Sequence, residues 1–121
     1  NTGMRAHQFI RENVDSNATN ELDLYIMNNE DLYRRRFMPI IQNLKRKIAK
    51  NTYDHERAKQ LWQYLIDDAA KEYVKEFGKP DEDVKDMFPQ ETRLRVAELI
   101  ADREFENLKQ GEYDVAKGNI S

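Results

Sequence analysis

Cysteine is absent from this 121-residue chain, which excludes thiolate nucleophiles, thiolate metal sites and disulfide staples together. Stability must then come from buried apolar surface. Only four glycines and three prolines occur, too few to punctuate a hairpin-rich β fold. No segment alternates apolar and polar residues with period two, so no sheet is expected. No apolar run approaches the roughly 20 residues of a membrane span, and no signal-peptide core stands at the N-terminus. The expectation is a soluble cytoplasmic protein without a membrane partner. Histidine is scarce too, at His7 and His55. There is no Gly-rich phosphate loop, no Ser/His/Asp arrangement and no paired Glu-x-x-His motif. No catalytic residue, cofactor or metal ligand is assigned, and the expected function is non-enzymatic.

What the chain has in quantity is charge and helical periodicity. Charged residues make up 36% and hydrophobic residues 39%, enough apolar material for one core and too much for a disordered chain. Asn1-Thr2-Gly3 precedes a methionine able to serve as a start and is read as a tag remnant. Met4–Asn13 has the spacing of a short helix, and Val14–Thr19 reads as a break. A helix starting near Asn20 uses Leu22, Tyr25 and Ile26, with a second cap at Asn28-Asn29. Phe37, Ile40, Ile41, Leu44 and Ile48 then form one apolar stripe. Pro39 interrupts it, since proline removes a helical hydrogen bond and disfavours α geometry at Met38. A break or kink is expected there.

The clearest element is Asp54–Phe77. Asp54 is a good N-cap, and Ala58, Leu61, Trp62, Leu65, Ile66, Ala69, Ala70, Tyr73, Val74 and Phe77 lie on one broad face. Gly78 stands where a C′ glycine belongs, with Pro80 beyond it. Lys79–Asp86 is an acidic loop with room for one helical turn. Pro89 is placed at the first position of a last helix, which runs to Gln110, uses Leu94, Ala97, Ile100, Ala101, Phe105 and Leu108 as its core side, and ends at Gly111.

Two charge features bear on partners. Arg34, Arg35, Arg36, Lys45, Arg46, Lys47 and Lys50 place seven positive charges in 34–50 with no acidic residue between, which leaves −10 for the rest of a chain of net charge −3. If these side chains share one side they form a ridge able to contact phosphates. Otherwise they pair with the acidic surplus of the same chain or of a partner. Asp68, Glu72 and Glu76 line one flank of the long helix at four-residue spacing; they could hold a divalent cation weakly, but the interleaved Lys71 and Lys75 favour a solvated face. His55, in the first turn of that helix, reads as an exposed helix-start residue rather than a base or ligand.

Several phrases carry a resemblance. Glu21-Leu22-Asp23-Leu24-Tyr25-Ile26, Leu32-Tyr33, Pro39-Ile40-Ile41-x-Asn43-Leu44, Thr52-Tyr53-Asp54, Leu61-Trp62-x-Tyr64 and Ala69-Ala70-Lys71-x-Tyr73-x-Lys75-Glu76-Phe77 are similar to small helical proteins found in phages and prophages. Phe88-Pro89, Arg93 and Gly111-Glu112-Tyr113 extend the likeness over about Glu21–Asp114. The resemblance implies a phage-type accessory protein acting in the host cytoplasm, and it brings no functional residues, since the family carries no assigned chemistry.

The expectation is therefore all-α: a bundle of three main helices with one or two short N-terminal helices. Its parts are an arm or short helix at 1–19, a bundle at 20–111 and a flexible tail at 112–121. The function expected is protein–protein interaction, with homodimerisation one form of it. The alternative is nucleic-acid binding through segment 34–50.

Overall fold

The computed structural model describes residues 17–111; the short helix expected at Met4–Asn13 and the tail at 112–121 lie outside them. The protein is all-α, a small helical fold with no strand among the described residues. The first helix, α1, includes residues 17–28, so 17–19 belong to the bundle and not to the arm. Thr19 is buried and Ala18 packs on the core.

The helix α2 is built of three consecutive pieces, Glu30–Leu32, a π-helical turn Tyr33–Phe37, and Met38–Ala49. Asn29 caps it, its side chain accepting from the Leu32 backbone N–H at 3.1 Å. The regular α geometry is interrupted at Pro39, as expected, though the chain stays helical: a π turn ends at Phe37 and the α-helical piece Met38–Ala49 starts with Pro39 in its first turn. A proline ring collides with the carbonyl four residues back and supplies no N–H of its own. The wider π turn just before it, closed by the Met38 N–H donating to the Tyr33 carbonyl, loosens the crowded stretch. The apolar stripe stays in phase: Phe37, Ile41 and Leu44 are all buried.

A short hairpin follows. Asn51 takes a left-handed conformation (φ 58), which asparagine tolerates better than most residues. Thr52 N–H donates to the Lys47 carbonyl at 2.8 Å and Asn51 N–H to that of Ile48 at 3.0 Å, the paired bonds of a Schellman ending. The chain then enters α3 (His55–Phe77), whose N-cap Asp54 accepts from the Glu56 N–H at 3.0 Å. Trp62 is fully buried at its centre, 5.0 Å from the Phe37 ring. Gly78 ends α3, as expected. Its φ is −84, and glycine is needed there because a Cβ would stand 2.6 Å from the Val74 carbonyl oxygen.

A one-turn helix, α4 (Val84–Met87), carries a reciprocal Asp83/Asp86 capping box and delivers buried Phe88 to the core. Pro89 is the N-cap of α5 (Gln90–Lys109), one position earlier than expected, and Gly111 (φ 75) supplies the left-handed end. The buried side of α5 is Thr92, Val96, Ala97, Ile100, Ala101 and Glu104. Leu94 is exposed, so the stripe drawn from sequence was rotated there.

Ion pairs report the register. His55–Asp102, Lys59–Glu98 and Arg93–Asp67 link α3 to α5, with residue numbers rising along one helix and falling along the other, as an antiparallel pair requires. Arg36–Asp68 does the same for α2 against α3. The first helix is tied to α5 by a buried polar network. Arg103 donates to Asp23 and to Glu104, both at 2.7 Å, and Asn107 donates to Glu104 at 3.2 Å. Burial works against the Arg103 charge, but the hydrogen bonds to Asp23 and Glu104 outweigh it, and its pKa moves up.

Candidate functional site

Antiparallel packing divides the candidate residues between the two ends of α3. Its C-terminal half faces α1 across a groove of about 580 Å³ whose lining includes Glu21, Leu24, Tyr25, Tyr73, Glu76 and Phe77. The aromatic rings are mutually packed: Tyr25 stands edge-on to Tyr73 at 5.2 Å, and Tyr73 lies 4.8 Å from Phe77. Tyr73 also meets buried Phe88 at 5.1 Å, so the wall is anchored in the core. Each tyrosine hydroxyl is held by a carboxylate. Tyr25 donates to Glu76 at 2.9 Å and Tyr73 to Glu21 at 3.2 Å. Burial, and then the Glu76 and Glu72 carboxylates, push the Tyr25 phenol up to about 12; burial and Glu21 raise that of Tyr73.

Two apolar side chains are left uncovered on this groove. Leu24 is 56% exposed and Phe77 59%. Sequence periodicity assigned Phe77 to the core, and the correction has a simple cause. Phe77 packs only against the groove's own rings, 4.8 Å from Tyr73 and 6.2 Å from Tyr25, and its remaining surface faces the open groove. Leu24 lies between core residues Leu22 and Ile26 on the opposite side of α1, a signal that was available in the sequence.

The seven basic residues do not form one ridge. Arg34 pairs with Glu30, Arg35 with Asp31 and Arg36 with Asp68. The first two are exposed i,i+4 pairs, individually worth little, but they leave the triple-arginine run electrically compensated. Lys45 is engaged as well. Arg46, Lys47 and Lys50 make no ion pair among the described residues. They gather at the hairpin end, where Arg57 of α3 joins them from outside the basic segment. Between α2 and α3 lies a cleft of about 250 Å³ whose lining includes Asn43, Lys47, Arg57, Gln60 and Tyr64. Tyr64 is 67% exposed, and Asn43 Oδ1 has no hydrogen-bond partner. Arg57, Gln60 and Tyr64 follow each other at helical spacing along the rim of α3, outside the core stripe.

The acidic flank does not converge. Asp68 is taken by Arg36 and Glu76 by Tyr25, and among the described residues no group of three His, Asp or Glu side chains is placed to hold a metal. His55 is not the free surface residue its position suggested. Its Nδ1 is 2.7 Å from the Tyr53 hydroxyl and its Nε2 2.8 Å from Asp102, while Tyr53 stacks on Phe105 at 4.5 Å. With a proton on Nε2 the ring donates to Asp102 and accepts from Tyr53. Burial, then the Asp102 and Asp54 charges, push the Tyr53 phenol up to about 12, away from the ionisation a nucleophile needs. The cluster clips the hairpin to the far end of α5.

Among the described residues no helix is long and apolar enough to cross a membrane. The geometry is that of a small all-α bundle with an acidic aromatic groove at one end of its central helix and a basic cleft at the other. Comparison with family models, curated proteins and solved structures returned no match.

Proposed function

We propose that this is a non-enzymatic, phage-type accessory protein of the host cytoplasm that works by docking a Lys/Arg-bearing segment of a protein partner into the α1/α3 groove. The observation carrying this reading is the pair Leu24 and Phe77, both exposed on one groove whose aromatic wall is anchored in the core. Covering such half-exposed side chains contributes roughly 1–2 kcal/mol each, enough to make them binding anchors. The occupant is basic because the groove is not neutral. Glu21 and Glu76 edge it, Glu72 and a single opposing Lys75 adjoin it, and the tyrosine and phenylalanine faces attract cations in their own right. The phage assignment rests on the sequence resemblance and is tested by the genes that neighbour this one.

The docking reading is tested by NMR titration with two synthetic peptides sharing one aromatic anchor, one flanked by Lys/Arg and the other by Glu. Saturable shifts at Leu24, Tyr25 and Phe77 with the basic peptide, abolished in Phe77→Ser, are expected. Equal response to the acidic peptide, or none to either, overturns it. Light scattering at high concentration addresses homodimerisation: a dimer dispersed by Phe77→Ser makes a second copy the occupant, and a strict monomer ends that form of the proposal.

A further inference from the structure

We propose that the α2/α3 cleft at the opposite end of the molecule is a nucleotide-binding site, with Lys47 and Arg57 taking the phosphate, Tyr64 stacking the base and Asn43 reading a polar edge. This site is separate from the acidic groove, and neither reading depends on the other. The groups are ordered by the helical register. In the antiparallel hairpin Lys47 and Arg57 lie at the loop end and Tyr64 two turns further along α3, about 10 Å by the helical rise. A phosphate and the base it belongs to are separated on that scale.

Each wall residue lacks something a nucleotide supplies. Lys47 and Arg57 make no ion pair among the described residues, although acidic residues outnumber basic ones in the chain and the arginines at 34–36 all found partners. Lys47 lies in the last turn of Met38–Ala49, a placement that also suits a helix C-terminus; Arg57, in the first turns of α3, has no such reason to be basic. Tyr64 exposes two thirds of its surface beside a cleft, where a stacking base would cover it. Asn43 Oδ1 has no partner and is shut off from water. This oxygen is already an acceptor, and a base N–H entering the cleft that Asn43 lines supplies the missing donor. The recognisable chemistry is a phosphate joined to a planar, hydrogen-bonding ring, and a free nucleotide and a single-stranded nucleic acid both carry it.

Fluorescence anisotropy of labelled oligo-dT and oligo-U against the full chain tests the site, with free AMP and UMP as competitors. Saturable binding that weakens steeply between low and physiological salt is expected. Lys47→Gln with Arg57→Gln should weaken it at least tenfold and Tyr64→Ala roughly fivefold or more. Arg34→Gln with Arg35→Gln, at the neutralised end, should change it less than twofold. All these positions are at least partly exposed, and thermal melts verify that the variants fold. Displacement by mononucleotide assigns the free ligand, and oligomer binding without displacement assigns the chain; either supports the site. No binding of oligomer or nucleotide at low salt, preference for duplex, indifference to Tyr64→Ala, or equal sensitivity to the Arg34/Arg35 pair overturns it.

Discussion

Arg103→Leu should be among the most destabilising single changes on the surface of this protein, because the residue it abandons is not on the surface. Arg103 is about one-third exposed, whereas the Glu104 side chain it holds at 2.7 Å is 1% exposed and that of Asp23 15%. Removing one partner of a buried pair leaves a charge out of water, at a typical cost of 3–5 kcal/mol. Asn107 still donates to Glu104, and Asp23 can draw water at its rim, so the lower end, about 3 kcal/mol, applies. For a domain of this size that is a fall in Tm of roughly 10 °C. A double-mutant cycle isolates the cause. In a Glu104→Gln background the same substitution abandons a neutral amide, and its cost should shrink to about 1 kcal/mol. Urea denaturation of the four proteins measures this. An equal cost of Arg103→Leu in both backgrounds would refute the reasoning.

Two further outcomes follow from the core and the tyrosines. Leu65 is fully buried, and Leu65→Asp puts a carboxylate there with no designed partner, so far-UV circular dichroism should show an unfolded chain; a normal melt would remove Leu65 from the core. Tyr25 and Tyr53 have folded-state pKa values raised from 10 to about 12. Stability is then fully present below pH 10 and is lost as pH rises from 10 through 12, since the unfolded chain releases those protons first. Phenolate absorbance alongside a melt at each pH should show late-ionising tyrosines and falling stability together, and uniform titration near 10 with unchanged stability would contradict it.

The sequence alone determined the elements and most of their ends, because those depend on contacts within a few residues. Asp54 caps α3 through its own side chain, the Ala58-to-Val74 stripe follows from 3.6-residue periodicity, and Asn29 and Gly111 do what such residues do at helix ends. Local reading failed where a neighbour decides. Phe77 is in phase with the core and Leu94 was assigned to it, yet both are exposed, whereas Val96, left out of the sequence stripe, is fully buried. The candidate sites were less legible still. Net charge along the chain showed a basic segment and an acidic remainder, but which cations are neutralised depends on residues remote in sequence. Arg36 meets Asp68 across the hairpin, whereas Lys47 shares its cleft with Arg57, another cation. Only the antiparallel packing of α2 on α3 put Tyr64 and Arg57 in one cleft with Lys47, and only the seating of α1 against α3 brought Leu24 and Phe77 to one groove. Periodicity fixes which way a side chain points from its own helix; what it points at is set by the helix packed opposite.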